Sequence, residues 1–303
     1  MTQACVPHDD AALLFELEPT AGRALDEHLK SADEWYPHEY IPWGVGRDFD
    51  GVLGGEPWSP QQTGIDSAVR DGLLHNLLSE DNLPSYHHAI AQLFGNDGAW
   101  GAWVNQWTAE EGRHGLAIRD YLLVTRATDP VALEDARRAH VQQGYSIDYR
   151  GVVESLVYVT LQELATRTSY SNIRRKCGDR ACDALLRRIS QDENRHMLFY
   201  RTVLSEAVKI DPDRVLTACA TVIPTFRSPG HAAPGFTNLA LSMMRSGIYT
   251  PTCHHDDVVV PMMRFLGLFE LTGLSPAGDA ARERLTEVVT HSEARARRFA
   301  SRD

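Results

Sequence analysis

Apolar residues recur at alternating three- and four-residue steps through most of this chain, and strand-type alternation is nearly absent, so the pattern predicts an all-α protein. An opening helix is expected over 10–32, with Leu13, Leu14, Leu17, Leu25 and Leu29 as its apolar positions. Residues 36–65 carry Pro37, Pro42, Pro57, Pro60 and many glycines, and read as a turn-rich connection. Four long helical stretches follow, at 66–94, 98–126, 130–168 and 180–209. Pro224, Pro229, Gly230 and Pro234 mark a loop over 223–235. An interrupted helical segment covers 236–270, and a charged helix closes the chain over 277–300. No linker divides two units, so residues 1–303 are expected to form a single domain with loose ends at 1–9 and 301–303.

Three of these helical faces carry polar groups where an apolar residue belongs. Val104, Trp107, Glu111, His114, Ile118 and Tyr121 share one stripe. Leu156, Val159, Glu163, Thr166 and Tyr170 share another, and Ile189, Glu193, His196, Tyr200 and Val203 a third. Two of the stripes contain a Glu and a His three residues apart, Glu111-Gly-Arg-His114 and Glu193-Asn-Arg-His196, each pair facing one object. A lone glutamate precedes each pair by about thirty residues, Glu80 before Glu111 and Glu163 before Glu193. One Glu from each of two helices and a Glu-x-x-His from each of two others is the ligand set of dinuclear carboxylate sites in four-helix bundles. The expected architecture is therefore a ferritin-like four-helix bundle core with additional helices.

Converging carboxylates in apolar stripes require compensation. A buried unpaired carboxylate costs several kcal/mol or takes up a proton. Four carboxylates carry about −4, which two ferrous ions balance at about +4 with neutral imidazoles. Hard oxygen donors with one imidazole per metal favour iron, with manganese as a substitute, over zinc. Glu111 and Glu193 are expected to bridge, with Glu80 and Glu163 each binding one metal. Glu110 and Asp192, immediately before the motif glutamates, are placed to accept from the other motif's histidine.

Composition narrows the setting. Net charge is −11, against a nucleic-acid partner. No apolar run reaches the length of a membrane span, and the N-terminus lacks the order of a secretory signal. Five scattered cysteines suit a reducing compartment, and the expected location is cytoplasmic. Cys177 and Cys182 lack a usual zinc or redox spacing.

The words around the ligands are more specific than the ligands. SEDNLPSYH (79–87), WTAEEGRHG (107–115), TLQELATRTSY (160–170), DENRHMLFY (192–200) and EWYPHEYIPW (34–43) resemble the soluble acyl-acyl carrier protein desaturases, the stearoyl-carrier type, in order and spacing. The His254-His255-Asp256-Asp257 segment is closer to the bacterial branch. The resemblance implies Glu80, Glu111, His114, Glu163, Glu193 and His196 as ligands of two irons, and Thr166 beside their oxygen-binding side. It further implies Trp35, Asp192 and His114 as a relay admitting electrons from the surface. A homodimer, a reduced ferredoxin-type donor, dioxygen and an acyl chain carried on acyl carrier protein are implied too. Two other functions share these features: an oxygenase or hydroxylase acting on a tethered substrate, and a non-catalytic ferritin-like protein that holds iron or a carrier.

Several features compete for attention. His254–Asp257 looks like a second metal cluster, but adjacent helical residues point in different directions, so a helix N-terminal segment is expected there. His87 lies two turns from Glu80 on its face. Pro84 should remove the hydrogen bond to the Glu80 carbonyl and kink that helix. Arg282, Arg284, Arg295, Arg297 and Arg298 could dock an acidic carrier, though interleaved Glu283, Glu287 and Glu293 make an ordinary solvated helix the simpler account.

Overall fold

Helices begin where the chain supplies acceptors for otherwise unpaired N–H groups, and the computed structural model, which describes residues 8–144, 151–228, 231 and 235–301, shows this repeatedly. After α1 (His8–Ser31), three single-turn 3-10 helices occupy the turn-rich region. Asp66 then caps α2 (Ser67–Glu80) through the amides of Ala68 and Val69. Pro84 does more than kink the next stretch. α2 stops at Glu80 and α3 (Leu83–Phe94) starts afresh, because the prolyl nitrogen cannot donate to the Glu80 carbonyl.

α4 (Gly98–Val124) follows, and Asp129 caps α5 (Pro130–Gln143). The expected single helix over 130–168 is instead two. α5 ends at Gly144, whose φ of 67° lies in the left-handed region glycine tolerates, and α6 (Val152–Lys176) begins after Gly151. Asp179 accepts from the Cys182 amide to start α7 (Arg180–Ile210). α8 (Pro212–Thr225) was not separately expected, although Asp211 caps it and Pro212 opens it. It ends inside the expected 223–235 loop; Pro229, Gly230 and Pro234 lie outside the described residues. α9 (Phe236–Arg245) precedes α10 (Pro251–Cys253), which runs through a π-helical stretch (His254–Val259) into α11 (Val260–Leu266). α12 (Pro276–Ala300) completes the described helices. Residues 8 and 9 already belong to α1, while 1–7 and 302–303 fall outside the described residues.

Strand pairing among the described residues is a single bridge between Phe49 and Glu56. Among the described residues no helix is long and apolar enough to cross a membrane.

α2, α4, α6 and α7 pack together, with α1 against α4 and α7, α8 against α6, and α12 against α8. The buried apolar residues form two large clusters, one at each end of this bundle. Trp107, Leu156, Val159 and Tyr200 belong to the first, and Ile118, Tyr170 and Ile189 to the second. The polar positions of each stripe therefore fall in a layer between two hydrophobic blocks.

Candidate metal centre

Six side chains meet in that layer. Glu80 comes from the last turn of α2, Glu111 and His114 from α4, Glu163 from α6, and Glu193 and His196 from α7. They form two overlapping groups, Glu80–Glu111–His114–Glu193 and Glu111–Glu163–Glu193–His196. Within each group one donor atom per residue lies within 4.8 Å of all the others. Glu111 and Glu193 belong to both groups. All six residues are essentially buried.

The imidazoles have a definite polarity. His114 turns Nδ1 inward, 3.4 Å from both Glu111 and Glu193, and Nε2 outward, 3.4 Å from Asp192 Oδ2. His196 places Nδ1 2.8 Å from Glu111 and 3.5 Å from Glu163, while its Nε2 meets Glu110 Oε2 at 2.7 Å. Each outward nitrogen thus reaches the carboxylate preceding the other motif's glutamate. The inward Nδ1 atoms of both histidines, Glu111 Oε1, Glu163 Oε2 and Glu193 Oε1 are buried without a hydrogen-bond partner. The 2.8 Å approach of His196 to Glu111 is misdirected for a hydrogen bond. Native proteins rarely leave such atoms unsatisfied. Donor atoms that converge on one another without hydrogen bonds between them are what a cation would satisfy, so the donor set fits metal ions.

Protonation tells the same story. Burial, then the charge of Glu111, pushes Glu80 and Glu193 well above the usual carboxylate range. Glu163 is raised by burial too. Glu111 alone stays low: burial opposes ionisation there, but His114 and His196 overcome it. Without another cation the cluster can ionise only in part.

The surroundings orient the histidines. Trp35 is buried, its indole N–H donates to Asp192 Oδ2 at 2.7 Å, and its ring lies 6.4 Å from that of His114 with an interplanar angle of 18°. Asp192 also accepts from Arg188 and Arg195. Burial would raise Asp192, yet the hydrogen bond from His114 and the nearby positive charges hold it low. Trp35, Asp192 and His114 are therefore contiguous, but the indole is sealed beneath Arg113 and Arg188, 5.3 and 5.7 Å from its ring.

The opposite histidine has a matching support. His28 Nε2 lies 3.1 Å from Glu110, and its ring sits 5.9 Å from that of His196 at 22°. Gln106 donates to the same carboxylate at 2.6 Å. No short spacing in the sequence betrays His28, because its partner is 82 positions away. Tyr170 donates to Glu80 at 2.5 Å and Trp107 to Glu163 at 3.2 Å; both lay on the recognised stripes, but their bonds were not readable.

Thr166 is not among the clustered donors. Its hydroxyl donates to the Gln162 carbonyl at 2.8 Å, one turn from Glu163, on the wall of a small cavity. That cavity, about 60 Å³, is bounded by Glu80, Glu111, Glu163 and Glu193 on one side and by Leu83, Tyr86, Ile90, Trp107, Tyr158 and Val159 on the other.

Other candidates lie elsewhere. His87 bonds Thr108 at 2.8 Å, away from the donors. His254 engages Tyr249 and His255 engages Ser292 within the π-helical stretch, which replaces the helix N-terminus expected there; Thr250 caps the preceding turn. Among the described residues neither these histidines nor Cys177 and Cys182 belong to a metal-ligating group.

A family model described as fatty acid desaturase matches residues 9–303. A Mycobacterium tuberculosis protein named as an acyl-[acyl-carrier-protein] desaturase, DesA1, is 41% identical over 292 residues, covering 94% of this chain and 86% of its own. The chloroplastic stearoyl-[acyl-carrier-protein] 9-desaturase of Spinacia oleracea is 27% identical over 305 residues, covering 92% and 74%. The X-ray structure of DesA2 from Mycobacterium tuberculosis H37Rv, titled as an acyl-ACP desaturase, superposes with a TM-score of 0.73 at 27% identity, over 89% of this chain and 99% of that one.

Proposed function

The chain belongs to the fatty acid desaturase family, and from that membership we infer that it is an acyl-acyl carrier protein desaturase, which introduces a cis double bond into a carrier-bound fatty acyl chain using dioxygen. The reading takes residues 1–303 as one ferritin-like domain acting in the cytoplasm.

The observation that carries the site is the pair of overlapping donor groups with partnerless lone pairs. Two irons would be held there, one by Glu80 and His114, the other by Glu163 and His196, with Glu111 and Glu193 shared. Bound in that place, they supply the oxidising power to remove two hydrogens from an unactivated chain, dioxygen being the oxidant.

This chain's own residues do the rest. Asp192 and Glu110 accept from the outward nitrogens of His114 and His196 and so fix which nitrogen faces the metals. Trp35 and Asp192 form the electron entry toward His114, fed by a reduced ferredoxin-type donor. Tyr170 and Trp107 hold the terminal carboxylates in place. Leu83, Tyr86, Ile90, Trp107 and Tyr158 give the small cavity an apolar wall that excludes water and confines a methylene chain. Thr166 presents a hydroxyl on the same wall.

Desaturation and hydroxylation share this architecture, and the mass of the product separates them. Purified, iron-loaded protein given reduced ferredoxin, dioxygen and acyl carriers should release a mono-unsaturated acid lacking two hydrogens. Product that has gained an oxygen atom would replace the desaturase with an oxygenase. Light scattering should report a dimer, and a many-subunit shell would favour iron storage.

A further inference from the structure

A second cavity, of about 680 Å³, shares Ser79, Gln162 and Thr166 with the small one beside the metal site. Its volume suits a small-molecule ligand. Its walls change character with position. Ser79, Gln162 and Thr166 mark its inner end, Ile223, Phe226, Met243 and Met244 make an apolar middle, and Glu287, His291 and Arg295 on α12 form its rim with His254.

A carrier presents an acyl chain as a thioester on a phosphopantetheine arm, a ligand that is apolar at one end and ends in a singly charged phosphodiester. Arg295 is exposed on this rim, and among the described residues no carboxylate lies within ion-pair reach of it. Arg282 and Arg297 of the same helix are held by Asp279 and Glu293. Glu287 sits eight residues earlier on α12, about 12 Å along the helix axis, so it leaves the Arg295 end of the rim positive. His254 is neutral there, its pKa pushed down to about 4 by burial and by the charge of Arg295. The Tyr249 hydroxyl lies 3.0 Å from its Nδ1 and Phe226 stacks against its ring, which leaves Nε2 for a ligand. On a chain of net charge −11, an unpaired guanidinium at the mouth of a cavity that shares a wall with the one beside the metal site calls for an anion.

Resting on the desaturase reading, we propose that Arg295, with His291 and His254 on the same rim, binds the phosphodiester of the carrier's phosphopantetheine arm. Anchoring the arm there fixes how deep the acyl chain reaches past Thr166 and hence which carbons lie beside the metals.

Calorimetry on the full-length, metal-loaded protein tests this with two probes, the methyl phosphodiester of octanoyl-phosphopantetheine and octanoyl-pantetheine, which differ only in the singly charged methyl phosphate. The wild type should bind the phosphorylated probe about tenfold more tightly, the worth of one charge-assisted contact. Arg295→Ala should bring the two affinities within about twofold, and Arg295→Lys should keep part of the preference. Arg298→Ala, on the same helix but off the cavity, should leave it intact. Equal affinities in the wild type, or a preference that survives Arg295→Ala in protein of native helicity, would overturn the proposal. If carriers are desaturated while no preference exists, the phosphate site falls and the enzymatic reading stands. If the preference exists without desaturation, the phosphate site stands and the enzymatic reading falls.

Discussion

Replacing Trp35 by Phe probes the junction between stability and electron entry. The indole N–H donates to a buried, ionised Asp192 at 2.7 Å, and hydrogen bonds to charged groups contribute about 1.5–3 kcal/mol. Asp192 would not be orphaned, because His114 still reaches the same Oδ2 and Arg188 and Arg195 donate to Oδ1, so the loss should fall toward the lower part of that range. The phenyl ring keeps most of the packing against Tyr40, but weakens the contact with Arg113 and Arg188. Together these place the destabilisation at about 2 kcal/mol. Trp35→Ala is the poorer choice: emptying a buried tryptophan site costs about 3–5 kcal/mol and confounds any kinetic reading. Thermal denaturation of the iron-loaded Phe variant should show the loss with two irons retained, and stopped-flow reduction by ferredoxin should be slower than in wild type. Unchanged stability would refute the energetic argument. Unchanged reduction would remove Trp35 from the electron path.

Four further outcomes follow from the same geometry. Glu111→Ala and Glu193→Ala should each abolish the pair of irons, since both residues belong to both donor groups; elemental analysis finding two irons would contradict sharing. Glu80→Ala should spare the His196-side ion, giving about half the wild-type iron per chain. Tyr170→Phe should weaken metal binding about 10–100-fold by freeing the Glu80 carboxylate, as cobalt titration would show. His75 is buried, with its pKa pushed from 6.5 down to about 4 by burial. Between those values the unfolded chain takes up a proton that the folded chain refuses, so stability is full above pH 6.5 and falls toward pH 4, by up to about 3 kcal/mol. Denaturation across that window should be flatter in His75→Gln, and an equal slope would exonerate His75.

What was legible in the chain was what depends on spacing within one helix. Glu111 with His114, and Glu193 with His196, are three residues apart, and their stripes announced a shared face. Pro84 announced a disturbance after Glu80, because the loss of a donor is a local event, but it pointed to a kink in one helix and not to the two helices observed. The split at Gly144 and Gly151 was marked by the right residues, but the apolar periodicity on either side masked it. α8 lies between the expected helices, although Asp211-Pro212 is a cap followed by a proline at the first helical position. The π-helical stretch at His254–Val259 was beyond reach: an extra residue in a turn is settled by what packs around it. His28 behind Glu110, Tyr170 on Glu80 and the convergence of α6, α9 and α12 on one cavity are long-range contacts, which periodicity does not encode.

Iron-edge anomalous diffraction from crystals of protein reconstituted anaerobically with ferrous iron tests the central claim most directly. Two peaks per chain are expected, one among Glu80, Glu111, His114 and Glu193 and one among Glu111, Glu163, Glu193 and His196. A single peak, or iron bound away from these six side chains, would contradict the account.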